Sequence, residues 1–156
     1  MMGICGHPTY LFFTCLQFGY FLTKIAYLSS SNYNSKGGEI MDKVAIFVFA
    51  DTESKEGLGR VVNALETAKE FKNDDVRLYF DGTGTKWPAE LAKEDHIANK
   101  LYESITGNFK GACSFCAAAF GAKESIKKAG IQLIDEFDDH ISVRKLLSEG
   151  FHIMNF

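Results

Sequence analysis

The fold is decided by Lys43–Ala50, KVAIFVFA, a run of apolar, β-branched and aromatic residues. Strands that are buried on both faces of a parallel sheet have such unbroken apolar sequences, whereas half-exposed strands alternate between apolar and polar residues. A polar segment follows, and apolar residues then recur at helical spacing between Val61 and Phe71. The pattern therefore predicts a buried parallel strand followed by a crossover helix.

The rest of the sequence repeats this alternation. Apolar runs predict four further strands, at Asp75–Asp81, Phe109–Cys113, Ile131–Ile134 and Phe151–Met154. Helical periodicity predicts helices between them, from Pro88 to Ile105, from Ala117 to Ile126, and from Val143 to Leu147. Alternating strands and helices favour a mainly parallel sheet with right-handed crossovers and helices on both faces. We predict an α/β fold, a three-layer α/β/α sandwich of about five mostly parallel strands and of flavodoxin-like size.

Composition divides the 156-residue chain near Met41. The first 40 residues hold three charged side chains and eight of the 21 aromatic ones, whereas residues 41–156 read as one acidic globular domain. The net charge of -3 provides no basic surface, so we expect no nucleic-acid partner. Four cysteines are too few for a disulfide scaffold of this size.

Residues 1–40 allow three interpretations. The segment Tyr10–Leu28 is long enough to cross a bilayer, but Lys24 inside it would cost about 3 kcal/mol. A secretory signal would need a basic start and a small-residue cleavage site, and neither is clear. The peptide Lys36–Met41, KGGEIM, can be encoded by a purine-rich ribosome-binding sequence followed by a start codon. We therefore predict a mis-assigned start before Met41, no membrane partner and a cytoplasmic location, with a membrane or signal-like segment as the alternative.

The predicted topology also locates the candidate functional site. In a parallel sheet the loops that follow the strands emerge at one edge, and ligands bind there. We expect four such segments to lie close together: Asp51–Gly57, Asp81–Thr85, Cys113–Cys116 and Asp135–His140.

The motif Cys113-Ser-Phe-Cys116 lies at a predicted strand-to-helix junction. A cysteine there faces free backbone N–H groups and the positive end of a helix, so its pKa is predicted to fall below the free value of about 8.5. A thiolate at this edge would be a nucleophile, a metal ligand or a redox centre. The alternative is a pair of small buried hydrophobic residues, because unpaired cysteine is among the most buried residue types.

The Cys-x7-Gly pattern from Cys113 to Gly121, at this junction of a five-strand α/β domain, resembles the DsrE/DsrF-like family over residues 41–156. The resemblance implies a sulfur carrier or sulfurtransferase subunit that holds a persulfide on Cys113. It also implies a homo-oligomer, a trimer or hexamer, and a sulfur donor or acceptor that is a protein or a small thiol, with no cofactor. Phe120 stands where the family often has a basic residue. The alternative function is a non-catalytic oligomeric module that binds a small ligand or a protein through the same edge.

Other side chains complete the predicted site. Cys116 is either a resolving thiol or a packing residue, and His140 is a candidate proton donor or acceptor for Cys113. The sequence lacks a second C-x-x-C, so we assign no metal site, although Cys113, Cys116 and His140 would still make a three-ligand one. The segment Asp81–Trp87 lacks the spacing of a phosphate-binding loop and is predicted to be a flexible turn. Four residues are candidate ligand-binding positions: Asp51, Gly82, Thr83 and Lys86.

Overall fold

Five strands form one parallel sheet in a computed structural model, which describes residues 41–156. The strands are β1 (Lys43–Val48), β2 (Asp75–Phe80), β3 (Phe109–Cys113), β4 (Leu133–Ile134) and β5 (His152–Asn155). Their order across the sheet is β4-β3-β2-β1-β5, and every neighbouring pair is parallel. The predicted α/β class is confirmed. The predictions for residues 1–40 fall outside the described residues.

Six α-helices and two short 3-10 helices connect the described strands. The helices are α1 (Lys55–Glu70), α2 (Trp87–Leu91), α3 (Asn99–Ser104), α4 (Ser114–Ala119), α5 (Lys123–Lys128) and α6 (Val143–Ser148). The 3-10 helices are Gly82–Lys86 and Thr106–Asn108. Within residues 41–156, none of these helices has the length and apolarity needed to cross a membrane.

The strand order puts the helices on opposite faces of the sheet. From β1 to β4 the chain moves steadily toward one edge, so right-handed crossovers place α1 to α5 on one face. The step from β4 to β5 reverses direction and places α6 on the other face. The side chains of β1 divide accordingly, since Ile46 packs in the larger core while Phe47 packs with Leu146 of α6. The result is the predicted three-layer sandwich, with one helical layer much thinner than the other.

Two of the predicted helices are each divided into two shorter helices in the structure, so their predicted continuity is wrong. The apolar stripe from Pro88 to Ile105 is divided between α2 and α3, and the buried side chain of Asn99 joins the two by donating a hydrogen bond to the carbonyl of Leu91, 3.0 Å away. The stripe from Ala117 to Ile126 is divided between α4 and α5, because Gly121 adopts a left-handed φ of 70° after α4. Periodicity identified the buried side of both segments but not the interruptions.

Candidate functional site

Four side chains from three of the predicted post-strand segments meet at the carboxyl edge of the sheet. They are Asp81, Cys113, Cys116 and His140, and one ligand atom from each lies within 4.8 Å of the others. We call these four residues the edge cluster. The predicted convergence of the segments after β2, β3 and β4 is therefore confirmed.

Cys113 is the last residue of β3 and also caps α4. Its sulfur accepts a hydrogen bond from the backbone N–H of Cys116, with an N–S distance of 3.4 Å. The Nδ1 atom of His140 lies 3.2 Å from the same sulfur. The side chain of Cys113 is fully buried, on the sheet face that α6 covers. The structure thus brings together the cysteine and the histidine that the sequence proposed as a pair.

A tight turn positions His140. Phe137 and His140 exchange backbone hydrogen bonds of 3.0 and 2.8 Å, and the two residues between them, Asp138 and Asp139, have left-handed φ angles of 46° and 62°. Such angles are costly for residues other than glycine and are best tolerated by Asp and Asn. The carbonyl of Asp139 accepts a hydrogen bond from the N–H of Phe115 in α4, 2.9 Å away. The turn is therefore held against the helix that carries Cys116.

Asp81 is the member of the edge cluster that sequence reasoning missed. It follows β2 directly, and its Oδ1 atom accepts a hydrogen bond of 2.7 Å from the N–H of Gly82, which begins a 3-10 helix. Its carboxylate also lies within 4.8 Å of the sulfur of Cys116. A signal for it exists in the sequence, because Asp81 begins one of the four segments expected at this edge.

The predicted acidity of the thiols is wrong. Burial has the largest effect and raises the pKa of Cys113, the N–H of Cys116 opposes it with a smaller effect, and the nearby carboxylate of Asp81 raises the pKa further. Burial and the neighbouring carboxylate of Asp81 raise the pKa of Cys116 to about 12. The helix that was expected to favour a thiolate, α4, has only six residues. Desolvation and a neighbouring negative charge therefore outweigh the helix.

These shifts predict that the native thiols alkylate slowly near neutral pH. Cys5 and Cys15 are first replaced by serine, so that the signal comes from the edge cluster alone. Iodoacetamide should then react slowly at about pH 8, where an ordinary thiol with a pKa of about 8.5 reacts readily, because only the thiolate is nucleophilic. The rate should rise as the pH approaches the raised pKa of about 12. The same protein in urea with a chelator is the control, and a native profile that coincides with the unfolded one would contradict the raised pKa values.

The segment after β2 is not the flexible turn that was predicted. Residues Gly82–Lys86 form a packed 3-10 helix in which Gly84 and Thr85 are buried. Gly82 adopts a left-handed φ of 55°, and its N–H donates the hydrogen bond to Asp81 Oδ1. The hydroxyl of Thr83 donates a hydrogen bond of 2.8 Å to the carbonyl of Phe49 at the end of β1. Gly82 therefore borders the edge cluster, whereas Thr83 fastens this segment to β1.

The two remaining candidate residues have structural contacts of their own. Asp51 Oδ1 accepts hydrogen bonds from the N–H groups of Glu53 and Ser54, at 2.8 and 3.0 Å, and these bonds lower its pKa. Asp51 and Thr83 line a small groove of about 260 Å³ whose lining includes neither cysteine. The ammonium of Lys86 lies 3.7 Å from a carboxylate oxygen of Glu53. Asp51 and Lys86 therefore both contact Glu53, and neither belongs to the edge cluster.

Comparison with known proteins adds one distant relative. No family model matches the chain. An uncharacterized protein from Methanocaldococcus jannaschii is 28% identical over 115 residues, which cover 72% of this chain and 93% of that protein. No solved structure matches significantly. The chemistry of the edge cluster is therefore the basis for a functional assignment.

Proposed function

We propose that this protein is a DsrE-like sulfur carrier or sulfurtransferase subunit that relays sulfane sulfur through Cys113. The observation that carries the proposal is the 3.2 Å contact between Cys113 Sγ and His140 Nδ1 at the carboxyl edge of the sheet. An imidazole within hydrogen-bond distance of a thiol can take its proton when a substrate arrives. This contact compensates for the raised pKa of the resting thiol.

The proposed transfer is balanced without an external oxidant. His140 accepts the proton of the Cys113 thiol, and the thiolate attacks the outer sulfur of a donor persulfide. The S–S bond of the donor breaks as a new S–S bond forms on Cys113, and the donor leaves as a thiolate that takes the proton back. An acceptor thiolate then removes the sulfur in the same way. Cys116 has one of two roles. It packs beside Cys113, with its backbone N–H 3.4 Å from Cys113 Sγ, or it acts as a resolving thiol that attacks the inner sulfur of the Cys113 persulfide, which forms a Cys113–Cys116 disulfide and releases hydrosulfide before two acceptor thiols reduce the disulfide.

Access to Cys113 requires movement of the turn that carries His140, because the sulfur is fully buried. The aromatic rings beside this turn are exposed, with 53% of Phe115 and 64% of Phe137 accessible to solvent. We propose that a sulfur donor or acceptor, a protein or a small thiol, contacts these rings. We further propose a trimer or hexamer located in the cytoplasm, where reducing conditions keep Cys113 and Cys116 as free thiols.

Persulfide labelling tests the carrier role. The full chain is treated with a persulfide donor in the presence of a chelator, and added sulfur is located by mass spectrometry of alkylated peptides. Sulfur should be found on Cys113 in the wild type, in Cys116→Ser and in the double variant Cys5→Ser/Cys15→Ser. It should be lost in Cys113→Ser, and full labelling of that variant would refute Cys113 as the carrier.

The burial of the thiols favours a second candidate function. Cys113 is fully buried and the pKa values of both edge-cluster thiols are raised, as expected for cysteines with a packing role. The protein would then be a non-catalytic oligomeric module that binds a small ligand or a protein through the same edge. A wild type that accepts no sulfur in the labelling experiment would support this module and reject the carrier.

A further inference from the structure

The edge cluster combines the donor atoms that zinc prefers. Its sulfur atoms, imidazole nitrogen and carboxylate oxygen come from the ends of three different strands and their following loops. Thiolate and imidazole ligands select zinc-class cations over calcium and magnesium, which prefer sites made of oxygen atoms. The sequence suggested only three of these ligands, and the structure adds Asp81 as the fourth. We propose that the edge cluster binds a single divalent cation of the zinc class.

The distances fit a tetrahedral site after a small contraction. Bond lengths of about 2.0–2.3 Å from zinc to nitrogen, oxygen and sulfur place neighbouring ligand atoms about 3.3–3.8 Å apart. The four ligand atoms of the edge cluster already lie within 4.8 Å of one another, and Cys113 Sγ and His140 Nδ1 are 3.2 Å apart. A cation would therefore require ligand movements of about 1 Å or less.

Two lysines on segments that neighbour the edge cluster are paired with other carboxylates, which favours binding of a cation in the cluster. These two lysines have partners of their own, since Lys86 lies 3.7 Å from Glu53 and Lys145 forms an ion pair with Glu136. Within the edge cluster, the carboxylate of Asp81 lies within 4.8 Å of two thiol sulfurs. A divalent cation would compensate a carboxylate and two thiolates while releasing two thiol protons.

Neighbouring groups hold three of the proposed ligands, Asp81, Cys113 and His140, in position. The N–H of Gly82 holds one oxygen of Asp81 at 2.7 Å, and the N–H of Cys116 points at the sulfur of Cys113. Hydrogen bonds of this kind orient ligands and tune metal affinity. The ring of Phe115 lies against that of His140, with 4.7 Å between centroids, and limits its rotation.

Cobalt titration tests the site directly. The full chain is purified in chelator, the chelator is removed under reducing conditions, and Co²⁺ is added alone. We expect stoichiometric binding with the thiolate-to-cobalt charge-transfer and ligand-field bands of a tetrahedral site, and displacement of these bands by Zn²⁺. Loss of an orienting contact alone weakens metal sites by about 10–100-fold, so Asp81→Asn, which removes a ligand, should weaken binding by about 100-fold or more.

Two matched variants make the result specific. Asp51→Asn removes an exposed carboxylate outside the edge cluster, and Cys5→Ser/Cys15→Ser removes the other two cysteines, so both should retain wild-type cobalt spectra and affinity. Absence of the charge-transfer bands in the wild type, or their persistence in Cys113→Ser/Cys116→Ser, would overturn the proposal. Unchanged affinity in Asp81→Asn would overturn the four-ligand site. The titration contains no sulfur donor, so the metal site can stand when persulfide labelling fails, and labelling in chelator can succeed when the titration fails.

Discussion

Replacing Gly84 with alanine is expected to destabilise the described domain by about 3 kcal/mol or more. A Cβ atom at this position would lie 2.0 Å from the carbonyl oxygen of Val48 and 2.7 Å from its carbonyl carbon. These atoms belong to the buried backbone of β1, which is paired on both sides and cannot move away without disrupting the sheet. The 3-10 helix Gly82–Lys86 would have to separate from β1 instead, and Asp81 would move with it.

Chemical denaturation of the variant and the wild type measures this effect. Gly59→Ala is the matched control, because Gly59 lies within α1 and an added Cβ would meet nothing within 4 Å. That change should raise the free energy of unfolding by about 0.5–1 kcal/mol, the usual gain of alanine over glycine in a helix. Gly84→Ala should therefore lower the free energy of unfolding and Gly59→Ala should raise it, although both variants add the same methyl group. Equal stability of Gly84→Ala and the wild type would contradict the close approach between Gly84 and β1.

Replacing His140 with glutamine is expected to slow persulfide loading of Cys113 by about 100- to 10,000-fold, the usual contribution of a positioned general base. The amide of glutamine preserves polarity near the sulfur but cannot accept a proton at neutral pH. Without the imidazole, the thiol must ionise unaided, and burial makes that unfavourable. This prediction depends on the proposed function.

Single-turnover loading with a small persulfide donor, in chelator, measures the rate. His152→Gln is the control, since His152 is exposed on the edge strand β5 and should load at the wild-type rate. Denaturation curves of both variants show whether the fold is preserved. A fully folded His140→Gln protein that loads at the wild-type rate would remove His140 from the transfer step, whatever the outcome for Cys113.

The fold could be predicted where hydrophobic patterning alone determines whether a segment is buried. The apolar run of β1 could only be accommodated by burial on both faces, and the structure buries Val44–Val48. The bounds of β3, Phe109–Cys113, are those predicted. The convergence of the post-strand segments also followed from topology alone, since parallel strands share one carboxyl edge. Local patterning and chain topology therefore predicted the architecture and the location of the candidate site.

The chemistry of the site was less predictable because it depends on neighbours that are distant in sequence. The pKa of Cys116 is set by burial and by Asp81, 35 positions earlier in the chain, and neither is visible in the motif itself. The contact between Cys113 and His140 likewise depends on the left-handed turn at Asp138 and Asp139. Glycine is the usual sequence signal for such backbone angles, and neither position is glycine. Sequence patterns identified most of the participating residues but not the sign of their electrostatic interaction.

The strand order also has a consequence for how the domain folds. β1 pairs with β2 across about 30 residues of chain, but with β5 across more than 100, as the partners Val44 and His152 illustrate. Contacts at long sequence separation carry a larger loop-closure entropy and form later. β1 would therefore spend part of the folding reaction with the backbone N–H and C=O groups of one edge unpaired and open to another chain. Docking of β5 pairs those groups, so this edge of β1 is protected from association with another chain only after β5 has been synthesised.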